Sequence, residues 1–246
     1  MFKILRYSFS DLMRSRWTYF YFGFFLLFTL GLLFLSSDVG KVIISLMNVI
    51  LILVPLIATM FGIMFYYNSR EFTELLLAQP LSRTQLFIGQ YLGLALSLSA
   101  SLLLGVGLPF LVYGIFMSAE IWNFAVLLLN GILLSFIFSG MAFWIALRHE
   151  NRIKGFGLAI MMWLFFAVIY DGIFLLGLMW FSDYPLEYVS LGVSLLNPID
   201  LSRILILLKL DISALMGFFN FKKYSDGRTK NRRRHRRRRL PHRRGF

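Results

Sequence analysis

The chain has 246 residues, 59% of them hydrophobic and 17% aromatic, with 27 Phe. Soluble domains are less apolar and do not gather apolar residues into runs of about 20, so a soluble globular protein is excluded and an all-α, polytopic membrane bundle is expected. Cysteine is absent, which removes disulfides and thiolate metal sites, and the formal charge of +13 is local: residues 222–246 hold 13 of the 25 Lys and Arg and one of the 12 acids, a net of +12 that leaves +1 for the rest.

Residues 1–16, MFKILRYSFSDLMRSR, are amphipathic at helical spacing. Ile4, Leu5, Phe9, Leu12 and Met13 share a face, while Lys3, Arg6, Arg14 and Arg16 bring charge. A signal peptide would need a short apolar core and a small-residue cleavage site, and neither follows. The expectation is an interfacial elbow helix on the inner leaflet. Span one is Trp17–Leu35, with Trp17, Tyr19 and Tyr21 as an interfacial belt. A turn over Ser36–Lys41 leads to span two, Val42–Tyr67, where Asn48 and Pro55 predict a kink near the middle.

The next stretch, Asn68–Gly93, is the longest polar interruption between the apolar runs. Asn68 and Glu71 have capping-box spacing, and Phe72, Leu75 and Leu76 fall on one helical face. Pro80 stops that helix near Gln79, and Ser82 with Gln85 forms a second capping box that opens the next run. Two readings stand side by side: a helix resting on lipid, or a docking surface for a cytoplasmic partner, with Glu71 and Glu74 free to meet it. The pattern formed by Arg70, Glu71, Glu74, Leu75, Leu76, Pro80, Ser82 and Arg83 resembles the first cytoplasmic loop of ABC-2 type permeases, the membrane subunits of ABC exporters. The resemblance implies that this loop carries a coupling helix docking a separate ATPase, and that ATP is bound by that subunit.

Span three, about Leu86–Met117, is long enough to tilt or to begin below the bilayer. Gly89, Gly93, Ser97, Ser101 and Gly105 recur every four residues, a spacing that lets helices approach closely in lipid. Span four, about Ile121–Leu147, repeats this with Gly131, Ser135 and Ser139. The loop Arg148–Lys154 leads to span five, about Gly155–Phe181. Asp171 lies inside that span, and is read either as a polar contact in the bundle or as a hydrated group near the interface. Beyond it, Asn197, Pro198, Asp200 and Arg203 form a periplasmic turn and a helix start capped by Asp200. Lys209 and Asp211 cut the following apolar run short of a sixth span. The NPxDLxR turn, together with the Asp of span five, resembles the permease of the nitrous oxide reductase maturation transporter. That resemblance implies a homodimeric exporter-type permease with a periplasmic partner, acting in assembly of a copper sulfide centre. The Met60/Met64 and Met161/Phe165 stripes read as packing and not as copper ligands.

Nine basic residues flank the spans on the N-terminal side and three on the other, which places the N-terminus in the cytoplasm. Enzyme signatures are missing: His149-Glu150 is followed by Ile153 where a zinc motif needs His, and no P-loop is present. No cofactor and no metal are therefore expected on this chain. The expected organisation is an elbow over 1–16, a transmembrane domain over 17–221 with five clear spans, and a disordered basic tail over 222–246. The tail has three readings: a phosphate-binding arm for lipid or nucleic acid, a solvated end, or out-of-frame translation after Met216, where the resembled permeases have a sixth span. The third is preferred, and nucleic acid is not the expected partner. Alternatives for the whole chain are a membrane-embedded enzyme using Asp171 and His149, or an ATP-independent scaffold acting through the tail.

Overall fold

Lipid offers the backbone no hydrogen-bond partner, so long apolar runs must satisfy their own amides as helices. The computed structural model describes residues 2–36, 38–77, 82–115, 120–180, 192 and 194–209, and no strand occurs among them. In chain order the helices are α1 (Phe2–Met13), α2 (Arg16–Leu35), α3 (Val39–Asn68), α4 (Arg70–Leu77), α5 (Arg83–Val112), α6 (Ile121–Arg148) and α7 (Arg152–Leu164). A π-helical segment, Phe165–Ile169, joins α7 to α8 (Tyr170–Trp180), and 198–209 form a last helix, α9. Five of these are long and apolar enough to cross a membrane: α2, α3, α5, α6 and the continuous Arg152–Phe174. The described residues up to Ile206 form one compact unit, and 207–209 fall outside it. The tail over 222–246 and the proposed frame change after Met216 lie outside the described residues.

Helix ends differ from the hydropathy limits for identifiable reasons. The second span starts at Val39, not Val42, because the Asp38 side chain accepts from the Gly40 amide at 3.0 Å and opens the helix early. The helix then runs on through Pro55, with the Thr59 hydroxyl donating to the Pro55 carbonyl. Tyr21, placed by sequence in an interfacial belt with Trp17 and Tyr19, is instead buried and packs edge-on against Phe25 at 5.0 Å. It faces the bundle because Thr18, Tyr21, Phe25, Thr29 and Leu33 form the single buried stripe of α2.

The core forms where α3 packs on α6 and where α5 receives α1 and α2. Small residues make these approaches close. A Cβ at Gly62 would lie 2.6 Å from the Ala142 Cβ, and one at Gly131 would lie 2.6 Å from Leu102 Cδ2. On α5, Gly89 lies under Ile4, Gly93 under Ser8, and Gly105 under Phe22 and Phe25. Ser97 and Ser101 are buried on the same helix, and the Ser101 hydroxyl turns back to the Ser97 carbonyl at 2.9 Å. The Tyr91 hydroxyl donates to the Phe136 carbonyl at 3.0 Å, tying α5 to α6. By contrast, Arg152–Phe174 packs one face on α3 and α6 through Gly155, Phe156, Ala159 and Met162, and leaves its opposite apolar face, with Leu158, Met161 and Phe165, exposed.

Candidate functional site

On the α1 side of the bundle, α4 follows α3 after a one-residue break. Ser69 ends α3, its amide and hydroxyl both donating to the Phe65 carbonyl at 2.9 and 2.7 Å. Its carbonyl then accepts from the Thr73 amide at 2.8 Å and the Thr73 hydroxyl at 2.7 Å, which starts α4. Asn68, expected to cap α4, is thus the last residue of α3, and its Oδ1 accepts from Arg152 at 3.1 Å. Ser82 precedes α5 without capping it through its side chain. Pro80 lies outside the described residues.

Three contacts fix α4. Gln90 Nε2 donates to the buried Thr73 hydroxyl at 2.8 Å. Phe72 stacks on Tyr7 of α1 with centroids 5.3 Å apart. Arg70 donates to Glu74 at 3.0 Å and to the Glu150 carbonyl at 3.5 Å. The hydrogen bond to Glu74 raises the Arg70 pKa, but the pair is solvated and adds little stability. Nearby, the Tyr67 hydroxyl donates to the His149 carbonyl at 2.5 Å, and Asn151 caps α7 by accepting from Ile153 and Lys154. Gly155 is needed there because a Cβ would collide with the Tyr67 ring. So α4 and the 149–151 turn form one shelf. Glu71 and Leu75 project from it, Leu75 being 71% exposed, while Leu76 is half-buried and Arg83 is exposed.

At the far end of the fifth span the structure brings together residues that lie far apart in sequence. A π-helical segment pairs its carbonyls off the normal ladder, and here the Phe166 carbonyl accepts from Asn197 Nδ2 at 2.9 Å. Asn197 is fully buried, and its Oδ1 accepts from the Ile199 amide at 3.1 Å. Asn197, not Asp200, therefore caps α9, with Pro198 in the first helical position where a missing N–H costs nothing. Asp200 instead accepts from Asn197 at 3.0 Å and from Arg203 at 3.2 Å. The same Arg203 nitrogen donates to Asp171 Oδ2 at 3.0 Å. Two carboxylates thus share one guanidinium. Asp171 Oδ1 is buried without a hydrogen-bond partner among the described residues, and its side chain is 28% exposed, so this is a packed contact and not a freely hydrated one. Burial, and then the neighbouring Asp171 carboxylate, push the Asp200 carboxyl up to about 6, against the opposing pull of Arg203. All four residues stand out in the sequence, but their convergence depends on the π segment, which FFAVI does not signal.

No protein-family model matches the chain. Curated relatives do: the "Probable ABC transporter permease protein NosY" of Stutzerimonas stutzeri is 27% identical over 219 residues, which is 82% of this chain and 79% of that protein. Its counterpart in Pseudomonas aeruginosa is 28% identical over 231 residues, 87% of this chain and 84% of that protein. The chain is NosY-like. The NosY likeness spans most of both partners, so it is a likeness of whole architecture and not of one loop. With five membrane-crossing helices, the NosY-like chain is a multi-pass membrane protein, and the likeness favours a transporter subunit over an enzyme.

Proposed function

We propose that the chain is the membrane-spanning permease subunit of an ABC exporter and that α4 is the helix on which a separate ATPase docks. One observation carries this reading: in a NosY-like chain, an eight-residue amphipathic helix is held to the bundle by its Thr73 and Phe72 face while Glu71 and Leu75 remain exposed. An exposed Leu beside an acid is what a partner groove with an apolar floor and a basic rim would take up. ATP is bound by that partner and not by this chain, which has no P-loop.

The excess of basic residues on the α1 side supports a cytoplasmic N-terminus in an inner membrane. The outward apolar face of Arg152–Phe174 supports assembly as a homodimer. The resemblance of the NPxDLxR turn and of Asp171 to the permease of the nitrous oxide reductase maturation transporter supports a role in that maturation, with a periplasmic partner receiving the work done. The route for that work runs from α4 through the Tyr67–His149 shelf into α7, and then through the π segment to Asn197 and Arg203.

Because the chain has no cysteine, a single introduced thiol reports its surroundings without ambiguity. Leu75→Cys, co-expressed with a candidate ABC ATPase subunit from the same genome, is expected to form a cross-link to that subunit with a short bifunctional reagent. Leu133→Cys, exposed at mid-span on α6, is expected to form none. Equal cross-linking at both positions, or none at Leu75→Cys, contradicts the docking role.

A further inference from the structure

We propose that the cleft between α1 and the end of α3 binds the headgroup and first chain atoms of a phospholipid bearing a primary ammonium, phosphatidylethanolamine. The cleft has a volume of ≈320 Å3, at the lower end of the range of small-molecule sites. Its walls include Tyr7, Leu12, Phe61, Phe65 and Phe72, so most of the lining is apolar or aromatic. It lies beside α1, whose Ile4 and Ser8 pack on α5, in a bundle of five membrane-length helices, so acyl chains are the apolar matter at hand.

Charge selects the headgroup. Asp11 is the one charged side chain among the lining residues. Its carboxylate has no hydrogen-bond or ion-pair partner among the described residues, although α1 also carries Arg6 and is followed by Arg14. Arg14 lies three residues on from Asp11, at the helix end, where i and i+3 are surface neighbours. One turn therefore offers an acceptor for an ammonium and, beside it, a cation for a phosphate. That is the footprint of a zwitterion whose cationic end donates hydrogen bonds. Phosphatidylglycerol would offer Asp11 only neutral hydroxyls and bring a net negative charge beside it, and phosphatidylcholine has no N–H to give it. The stacked Tyr7 and Phe72 rings complete a slot that tolerates both alkyl chain and cation. This inference does not depend on ATPase docking, since every group in it belongs to this chain.

The test uses the full chain in detergent without any ATPase. Phosphatidylethanolamine, phosphatidylglycerol and phosphatidylcholine of matched acyl chains are titrated in turn, and bound lipid is counted by native mass spectrometry. Phosphatidylethanolamine is expected to give a single saturable adduct at the lowest concentration. Asp11→Asn is expected to weaken that adduct about tenfold, the effect of losing one charge-assisted hydrogen bond. Arg14→Gln is expected to weaken phosphatidylethanolamine and phosphatidylglycerol alike. Equal binding of all three lipids, no saturable adduct, or wild-type phosphatidylethanolamine binding by Asp11→Asn would overturn the proposal. The exposed position of Asp11 leaves the fold untouched by its substitution.

Discussion

Arg203→Leu is expected to destabilise the protein, and to do so more at neutral than at acidic pH. The substitution leaves Asp171 and Asp200 facing one another with no cation between them. Breaking a fully buried ion pair costs about 3–5 kcal/mol. Here the Arg203 side chain is 37% exposed, so solvent screening reduces the expected loss to about 2 kcal/mol. The sign of the pH effect follows from Asp200, whose carboxyl is raised from 3.8 to about 6 in the folded chain. Between those values the folded state holds a proton that the unfolded state has released, so stability falls as pH rises through this window. Removing Arg203 removes the group that opposes the shift, and therefore extends the fall to higher pH. Thermal unfolding in detergent, followed from pH 5 to pH 8, should show the gap between wild type and Arg203→Leu widening with pH. Asp171→Leu should cost less, because it removes one of the two competing carboxylates and leaves the Asp200–Arg203 pair. A pH-independent gap, or a larger loss in Asp171→Leu, contradicts the shared-guanidinium geometry.

Gly93→Leu is expected to release the elbow helix from the bundle. A Cβ at Gly93 would lie 2.6 Å from the Ser8 Cβ and 3.1 Å from the Phe9 amide nitrogen. Both are backbone or backbone-adjacent atoms, so no flexible side-chain end can yield, and α1 must move as a unit. Overpacking of this kind costs about 1–3 kcal/mol, and a leucine at a helix–helix contact belongs at the upper end. The readout is tryptic cleavage at Arg6 and Arg14, which should be much faster in Gly93→Leu than in wild type. Gly23→Leu is the control, since nothing lies within 4 Å of a Cβ there. The same cleavage rate in Gly93→Leu and wild type would mean that α1 is not seated on α5 as described.

These two sites show what could and could not be read from the sequence. The five spans were legible because charge is absent from them except for Asp171 in the fifth, and a helix is the form an apolar run takes in lipid. The four-residue spacing of Gly89, Gly93 and Gly105 announced close packing, but not that the neighbours would be α1 and α2. Helix starts were less legible. Asn68, Ser82 and Asp200, expected as side-chain caps, do not cap, while Asp38 caps α3 and Asn197 caps α9, since capping depends on backbone direction and not on residue type alone. Asp171 stood out by itself, whereas its bond to Arg203 spans 32 residues, and the neighbouring Asn197 bonds a π segment with no compositional mark. The lipid-sized cleft was invisible for the same reason: it exists only because α1 folds back beside the end of α3.

Docking of an ATPase on α4 is the central proposal. The most direct measurement is the amount of a co-expressed candidate ABC ATPase subunit that co-purifies with membrane-inserted Glu71→Arg/Leu75→Arg. Both substituted side chains project into solvent, and the Thr73–Gln90, Phe72–Tyr7 and Arg70–Glu74 contacts that hold α4 stay in place. Insertion and thermal stability should therefore match wild type while the ATPase is lost from the eluate. Wild-type amounts of ATPase bound to the double variant would contradict the reading of α4 as its docking site.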